Sequence, residues 1–95
     1  MPAIIDPNGP DGAPISIFES GAILQYLARK TGMFYGVTER DRIEIDQWLM
    51  WQMGGLGPML GQVHHFAKYN KGKSLYAEER YLKEAHRLYK VLNNR

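Results

Sequence analysis

A short apolar run, Pro14-Ile15-Ser16-Ile17-Phe18, ends in Glu19 and Ser20, and an amphipathic stretch, Gly21 to Leu27, follows at once. Serine is a preferred N-cap residue, because its oxygen accepts from an orphan amide one turn into the helix. Those amides, with the positive end of the helix dipole, form a receptor for a carboxylate. Glu19 stands beside them and can accept hydrogen bonds from an ammonium group. An anion receptor next to a cation receptor suits the zwitterionic end of an amino acid. On these residues alone a plainer reading stays open, with Ser20 a bare cap and Glu19 a solvated strand end.

Other residues that could do chemistry are weaker. His64-His65 does not read as a metal site: helix neighbours diverge by about a hundred degrees, and no carboxylate or third histidine falls at a zinc-like spacing. One of the pair is expected to pack or hydrogen-bond near a helix kink; lining an acceptor pocket or a subunit interface is the alternative. Gly54, Gly55, Gly57 and Gly61 lack the preceding strand of a phosphate-binding loop and read instead as points of close backbone approach. Trp48, Met50, Trp51, Met53 and Met59 read as packing, within the chain or across a dimer, before they read as a substrate cavity. Lys68, Lys71 and Lys73 cluster in a loop without aromatics placed for base stacking, so nucleic acid is not an expected partner.

The elements that must position the Glu19-Ser20 pair are legible. Pro2 to Asp6 and Pro14 to Phe18 read as strands of an antiparallel hairpin around the turn-rich Pro7 to Gly12. A helix is predicted from Ser20 to about Lys30, with Ala22, Ile23, Tyr26 and Leu27 on one face and Gly32 closing it in the left-handed conformation. Thr38 and Asp41 approximate a capping box that opens a second helix through Ile43, Ile45, Leu49 and Met50. At Gly54 to Pro58 a break or kink is expected, with Pro58 restarting the helix in its first turn, to about Lys68. A last helix is predicted over Leu75 to Leu92, with Ala77, Tyr81, Ala85, Leu88 and Leu92 as its core stripe.

Composition fits a globular chain: 95 residues, 44% apolar and 23% charged, with a formal net charge of +2. The absence of cysteine excludes disulfide staples and a CxxC redox pair. No apolar run is long enough to span a bilayer and no signal peptide opens the chain, so a cytoplasmic location without a membrane partner is expected.

Taken together, these segments carry a family likeness. The Glu19-Ser20 pair opening a helix, with Pro2 on the strand before it (Met1-Pro2-Ala3-Ile4), resembles the glutathione-binding half of glutathione S-transferases. Trp51 through Gln62, His64-His65-Phe66, and Tyr76-Ala77-Glu78-Glu79-Arg80-Tyr81 are similar to the bacterial Nu-class transferases, some of which reduce disulfides. The likeness implies an α+β fold: the C-terminal part of a thioredoxin-like domain (1–33, hairpin plus helix), then the first helices of an all-α domain (38–95). It also implies an internal fragment, since a complete transferase needs roughly twice this length.

The resemblance further implies glutathione as co-substrate, a small electrophile or disulfide as second substrate, and a homodimer in full-length members. Glu19 and Ser20 would hold the γ-glutamyl end, and Met1, ahead of a cis peptide bond at Pro2, would offer its backbone to the cysteinyl part. If Met1 is the initiator, its nitrogen is a charged amine and that contact is altered. Arg80 would reach the bound tripeptide; an exposed arginine paired with Glu84 is the equal alternative. No residue matches the family's thiol-activating hydroxyl, and Thr31 and Thr38 lie in the inter-domain connection. The expected result is a chain that keeps a glutathione-recognition surface and lacks catalytic residues. The rival expectation is a non-catalytic interaction module or gene remnant.

Overall fold

Alternating exposure along two short apolar stretches sets up the hairpin. In the computed structural model, which describes all of residues 1–95, strand β1 (Ala3–Asp6) pairs antiparallel with β2 (Ile15–Phe18), Ala3 opposite Phe18 and Asp6 opposite Ile15. The connection is held by its own polar groups: the Asn8 N–H donates to Asp6 Oδ1 (2.9 Å), Ala13 N–H to Asp11 Oδ1 (3.1 Å) and Gly9 N–H to the Ala13 carbonyl (2.9 Å). The sheet has only these two strands.

Helix α1 (Ser20–Thr31) follows immediately and ends as predicted, on Gly32 at φ 71°, whose N–H donates to the Ala28 carbonyl. Its predicted apolar face is only partly used. Ile23 is buried and Tyr26 half-buried, whereas Ala22 and Leu27 are exposed. Polar contacts hold the helix to the hairpin. Lys30 Nζ forms an ion pair with Asp6 and donates to the Asn8 carbonyl (2.7 Å), and the Tyr26 hydroxyl donates to Asp6 Oδ2 (2.6 Å). The ammonium and the hydroxyl together hold the Asp6 carboxyl down at about 2. The same hydrogen bonds push the Lys30 and Tyr26 values up.

The predicted capping box forms. Asp41 Oδ2 accepts from the N–H groups of Thr38 (2.9 Å) and Val37 (3.0 Å), and the Asp41 N–H donates to Thr38 Oγ1 (3.2 Å). Helix α2 (Glu39–Trp51) starts there, but no break follows. The backbone stays helical through a π-helical turn, Gln52–Leu56, into α3 (Gly57–Val63), and a second π-helical turn covers His64–Tyr69. Pro58 does sit in the first turn of α3. A proline ring must avoid the carbonyl four residues earlier, here that of Gly54, and a widened turn is one way to keep the helix continuous past it. Gly57 marks the tight point, where a Cβ would fall 2.8 Å from Gln52 Nε2. Gly55 faces Leu88 at a distance that would admit a Cβ, while Gly54 and Gly61 face open space, so close approach accounts for only Gly57.

Helix α4 (Leu75–Asn93) is capped by Ser74, whose side chain accepts from the Ala77 N–H (3.3 Å). Ala85 and Leu88 of the predicted stripe are buried, Ala77 and Tyr81 half-buried, and Leu92 exposed. Phe66 stacks on Tyr81 at 5.6 Å, and His65 meets the Phe66 ring edge-on at 4.7 Å. His64 stacks on Tyr69 at 6.2 Å. Trp48, Trp51, Met53 and Met59 are half-buried and Met50 exposed. The chain forms two compact units, Met1–Leu49 and Met50–Arg95.

Two tests follow. Gly36 sits at φ 68°, and a Cβ there would collide with Asp41 Cβ. Gly36→Ala should therefore cost about 1–3 kcal/mol in backbone strain and displace the cap. Gly72→Ala, also at positive φ (86°) but in open space, should cost less, and urea unfolding followed by far-UV circular dichroism compares them. The second test uses acid. Because the folded-state value of Asp6 is depressed to about 2, from an ordinary value of about 3.9, its contribution is intact above the ordinary value. It is lost as the pH falls towards 2. Asp6→Asn should flatten the stability profile across that window.

Candidate functional site

The end of β2 delivers two residues to the head of α1. Sequence reasoning makes Ser20 the cap; the structure instead puts Glu19 at the N-cap and Ser20 at the first helical position. The reason lies in the backbone. Glu19 adopts φ 73° and ψ 117°, a region that L residues rarely occupy, and this swings the chain from strand directly into helix with no intervening loop. The Glu19 carbonyl accepts from the Ile23 N–H at 2.9 Å and starts the helical ladder, while its side chain makes no capping bond. Glu19 is exposed, Ser20 half-buried and Gly21 buried. The N–H groups ahead of Ile23 have no carbonyl one turn back inside the helix. The head of α1 therefore presents amide donors, a hydroxyl and a solvent-facing carboxylate within two residues.

Strand register brings the chain start to the same place. Ala3 pairs with Phe18, so Pro2 and Glu19 are the next residues at one end of the ladder. The peptide bond at Pro2 is trans, as are all others, and this corrects the expected cis bond. Trans is the lower-energy isomer at X–Pro by about 0.5–1 kcal/mol, and Met1 and Pro2 are exposed, with nothing packed on them to impose the other form. Arg80 lies on the exposed side of α4 in the second unit. The alternative reading, an ion pair with Glu84, does not form. Arg87 takes that carboxylate instead, with Nε on Oε2 (2.9 Å) and NH2 on Oε1 (2.6 Å), and holds the Glu84 value down. Geometry explains the choice, because a two-pronged guanidinium contact outcompetes a single-point one.

Two features escaped sequence reasoning. The first is the strain at Glu19, repeated at Phe34 (φ 66°). No residue type announces it, since glutamate and phenylalanine are poor candidates for positive φ. The second is a polar hub in the first unit. Asp46 Oδ1 accepts from the Tyr35 hydroxyl (2.7 Å) and from Gln25 Nε2 (2.9 Å), and Gln25 Nε2 also reaches the Tyr35 oxygen (3.4 Å). The carboxylate pushes the Tyr35 value up. These three residues are 10 to 21 positions apart, beyond any helical periodicity. Beside them lies an apolar recess of about 460 Å³, lined by Leu24, Leu27, Ala28, Met33, Phe34 and Ile45 among others. It does not include Glu19 or Ser20.

The strain at Glu19 is open to measurement. Glu19→Gly removes the Cβ that makes positive φ costly and should raise stability by about 1 kcal/mol. Glu19→Ala, which keeps the Cβ, should not. Thermal unfolding of the two variants against the parent chain separates them.

No family model matches the chain. Across its full length it is 56% identical over 96 residues to the disulfide-bond oxidoreductase YfcG of Escherichia coli K12, of which it covers 45%. It is 40% identical over 98 residues to the transcriptional regulator URE2 of Saccharomyces cerevisiae, covering 27% of that protein. Ure2p solved in complex with glutathione superposes with a TM-score of 0.81. The crystal structure of a glutathione transferase from Burkholderia graminis, with two glutathione molecules bound per subunit, superposes with a TM-score of 0.96 at 50% identity. All of this chain is covered there, and 40% of the other. The chain thus spans less than half the length of the relatives it matches. Along its whole length it is homologous to glutathione S-transferases, in the part of their fold where a thioredoxin-like hairpin and helix lead into the first helices of the all-α domain.

Proposed function

We propose that the head of α1 is a glutathione receptor and that the protein serves glutathione-dependent thiol chemistry on a small electrophile or disulfide. The observation that carries this reading is the strained turn at Glu19, which sets a carboxylate, a hydroxyl and a helix N-terminus side by side. Strain of this kind persists where surrounding structure enforces it, and it clusters at ligand clamps. Ser20 and the first-turn amides take the γ-glutamyl carboxylate, and Glu19 takes the ammonium. Met1 and Pro2 offer strand-end backbone alongside. The glutathione bound in the Burkholderia graminis transferase and in Ure2p supports the choice of ligand.

The chemistry that follows is attack by the glutathione thiolate. On a disulfide, a new S–S bond forms as the old one breaks, and the departing thiolate takes a proton from water. Lowering the thiol pKa requires a hydrogen-bond donor aimed at sulfur. Both threonine hydroxyls are engaged with the chain's own backbone. Thr31 Oγ1 donates to the Leu27 carbonyl (2.8 Å), and Thr38 Oγ1 accepts from the Asp41 N–H in the capping box. We therefore propose recognition without turnover for these 95 residues taken alone, and a cytoplasmic setting, where reduced glutathione is the available thiol. We place the change from thioredoxin-like to all-α domain between residues 33 and 38, where Gly36 at positive φ leads into the α2 cap. The match to a transcriptional regulator favours a second reading, a non-catalytic interaction module.

Calorimetric titration with glutathione tests the receptor. Saturable binding that weakens at least about tenfold in Ser20→Ala and in Glu19→Gly supports it. Binding indifferent to both variants removes the site from α1. Conjugation of 1-chloro-2,4-dinitrobenzene above the uncatalysed rate by the 95-residue chain would refute the absence of turnover.

A further inference from the structure

In the first unit only Gly21 and Ile23 are buried. So small an apolar contact leaves the rotation of α1 about its own axis weakly specified by packing, and a slip of one residue turns every side chain by about 100°. Such a slip would carry Glu19 and Ser20 off the strand end that delivers them. Side-chain hydrogen bonds must supply the missing constraint. Asp6 provides one, through Tyr26 and Lys30. The hub provides another, on the helix side that carries Gln25, about one and a half turns from Ser20.

The hub is built for registry. Asp46 is half-buried on α2 and receives both donors on a single oxygen, from Tyr35 at 2.7 Å and Gln25 at 2.9 Å. The Arg42 guanidinium lies 5.8 Å from the Tyr35 ring centre, a cation–π contact that keeps the ring in place. Short, directional bonds between half-buried groups fix an orientation that apolar contact leaves loose.

We propose that Gln25, Tyr35 and Asp46 are positioning residues for the receptor at the head of α1, holding the helix at the rotation that presents Glu19 and Ser20 to a ligand. This rests on the reading of that helix head as the glutathione site. None of the three touches the ligand. Their effect travels through the helix backbone.

The test pairs two readouts on the 95-residue chain, glutathione affinity and amide hydrogen exchange at Ile23 and Leu24 in the first turns of α1. Tyr35→Phe and Asp46→Ala each remove hub bonds; Asp46→Asn keeps a carbonyl oxygen where Oδ1 stands and serves as the conservative rescue. The expected result is a five- to tenfold loss of affinity and at least about tenfold faster exchange at Ile23 and Leu24 in the first two variants, with Asp46→Asn near the parent. Exchange at those amides unchanged in Tyr35→Phe and Asp46→Ala overturns the proposal. So does acceleration spread equally over the strands of the hairpin, which marks a general loss of stability. If the parent chain binds no glutathione, the receptor reading falls, and the exchange data alone still decide whether the hub orients α1.

Discussion

Helix α1 is held from two directions by carboxylates. Asp6, at the end of β1, takes the Lys30 ammonium and the Tyr26 hydroxyl, and Asp46, on α2, takes the Tyr35 hydroxyl and the Gln25 amide. Hydrogen bonds to an ionised acceptor are shorter and stronger than neutral ones, and two per carboxylate leave little freedom. They act where apolar burial is scant, since Ile23 is the single buried large side chain of that unit. The chemistry proposed for the helix head depends on this arrangement, because a receptor made of backbone amides is only as well placed as the helix that carries it.

The second unit solves the same problem differently. Leu88 and Ala85 of α4 are buried, Gly55 faces Leu88, and Phe66 stacks on Tyr81. Two π-helical turns interrupt the regular ladder around this contact. A π turn inserts one residue and shifts the side chains that follow. At Gln52–Leu56 it also accommodates Pro58 without ending the helix. Large apolar side chains remain exposed in both units, Phe34 at 88% and Ile5 at 75% among them, and the hairpin has two unpaired edges.

At Glu19 the fold departs from local preference in order to join strand and helix without a loop. A glycine would fit the backbone better, yet the position carries a carboxylate that faces solvent. Conformational preference alone would favour glycine there. Gly32, Gly36 and Gly72, by contrast, are at positive φ with glycine in place.

Much of the chain was legible from residue order because the determining forces are local. Alternation gives the hairpin, Gly32 ends α1, Thr38 and Asp41 cap α2, and Ala85 and Leu88 mark the inner stripe of α4; each depends on neighbours within about one turn or one strand pair. What residue order left open is whatever depends on partners far along the chain or on a backbone state that no side chain signals. Ser20 looked like the cap until the positive φ of Glu19 took that place. Residue order offered Glu84 to Arg80 at i+4, and the fold pairs it with Arg87 at i+3. Gly54 to Pro58 read as a break or kink, and a widened turn carries the helix through to Pro58 in the first turn of α3. Gln25, Tyr35 and Asp46 share no periodicity, so only folding could bring them onto one oxygen, where directional hydrogen bonds fix what local preference cannot.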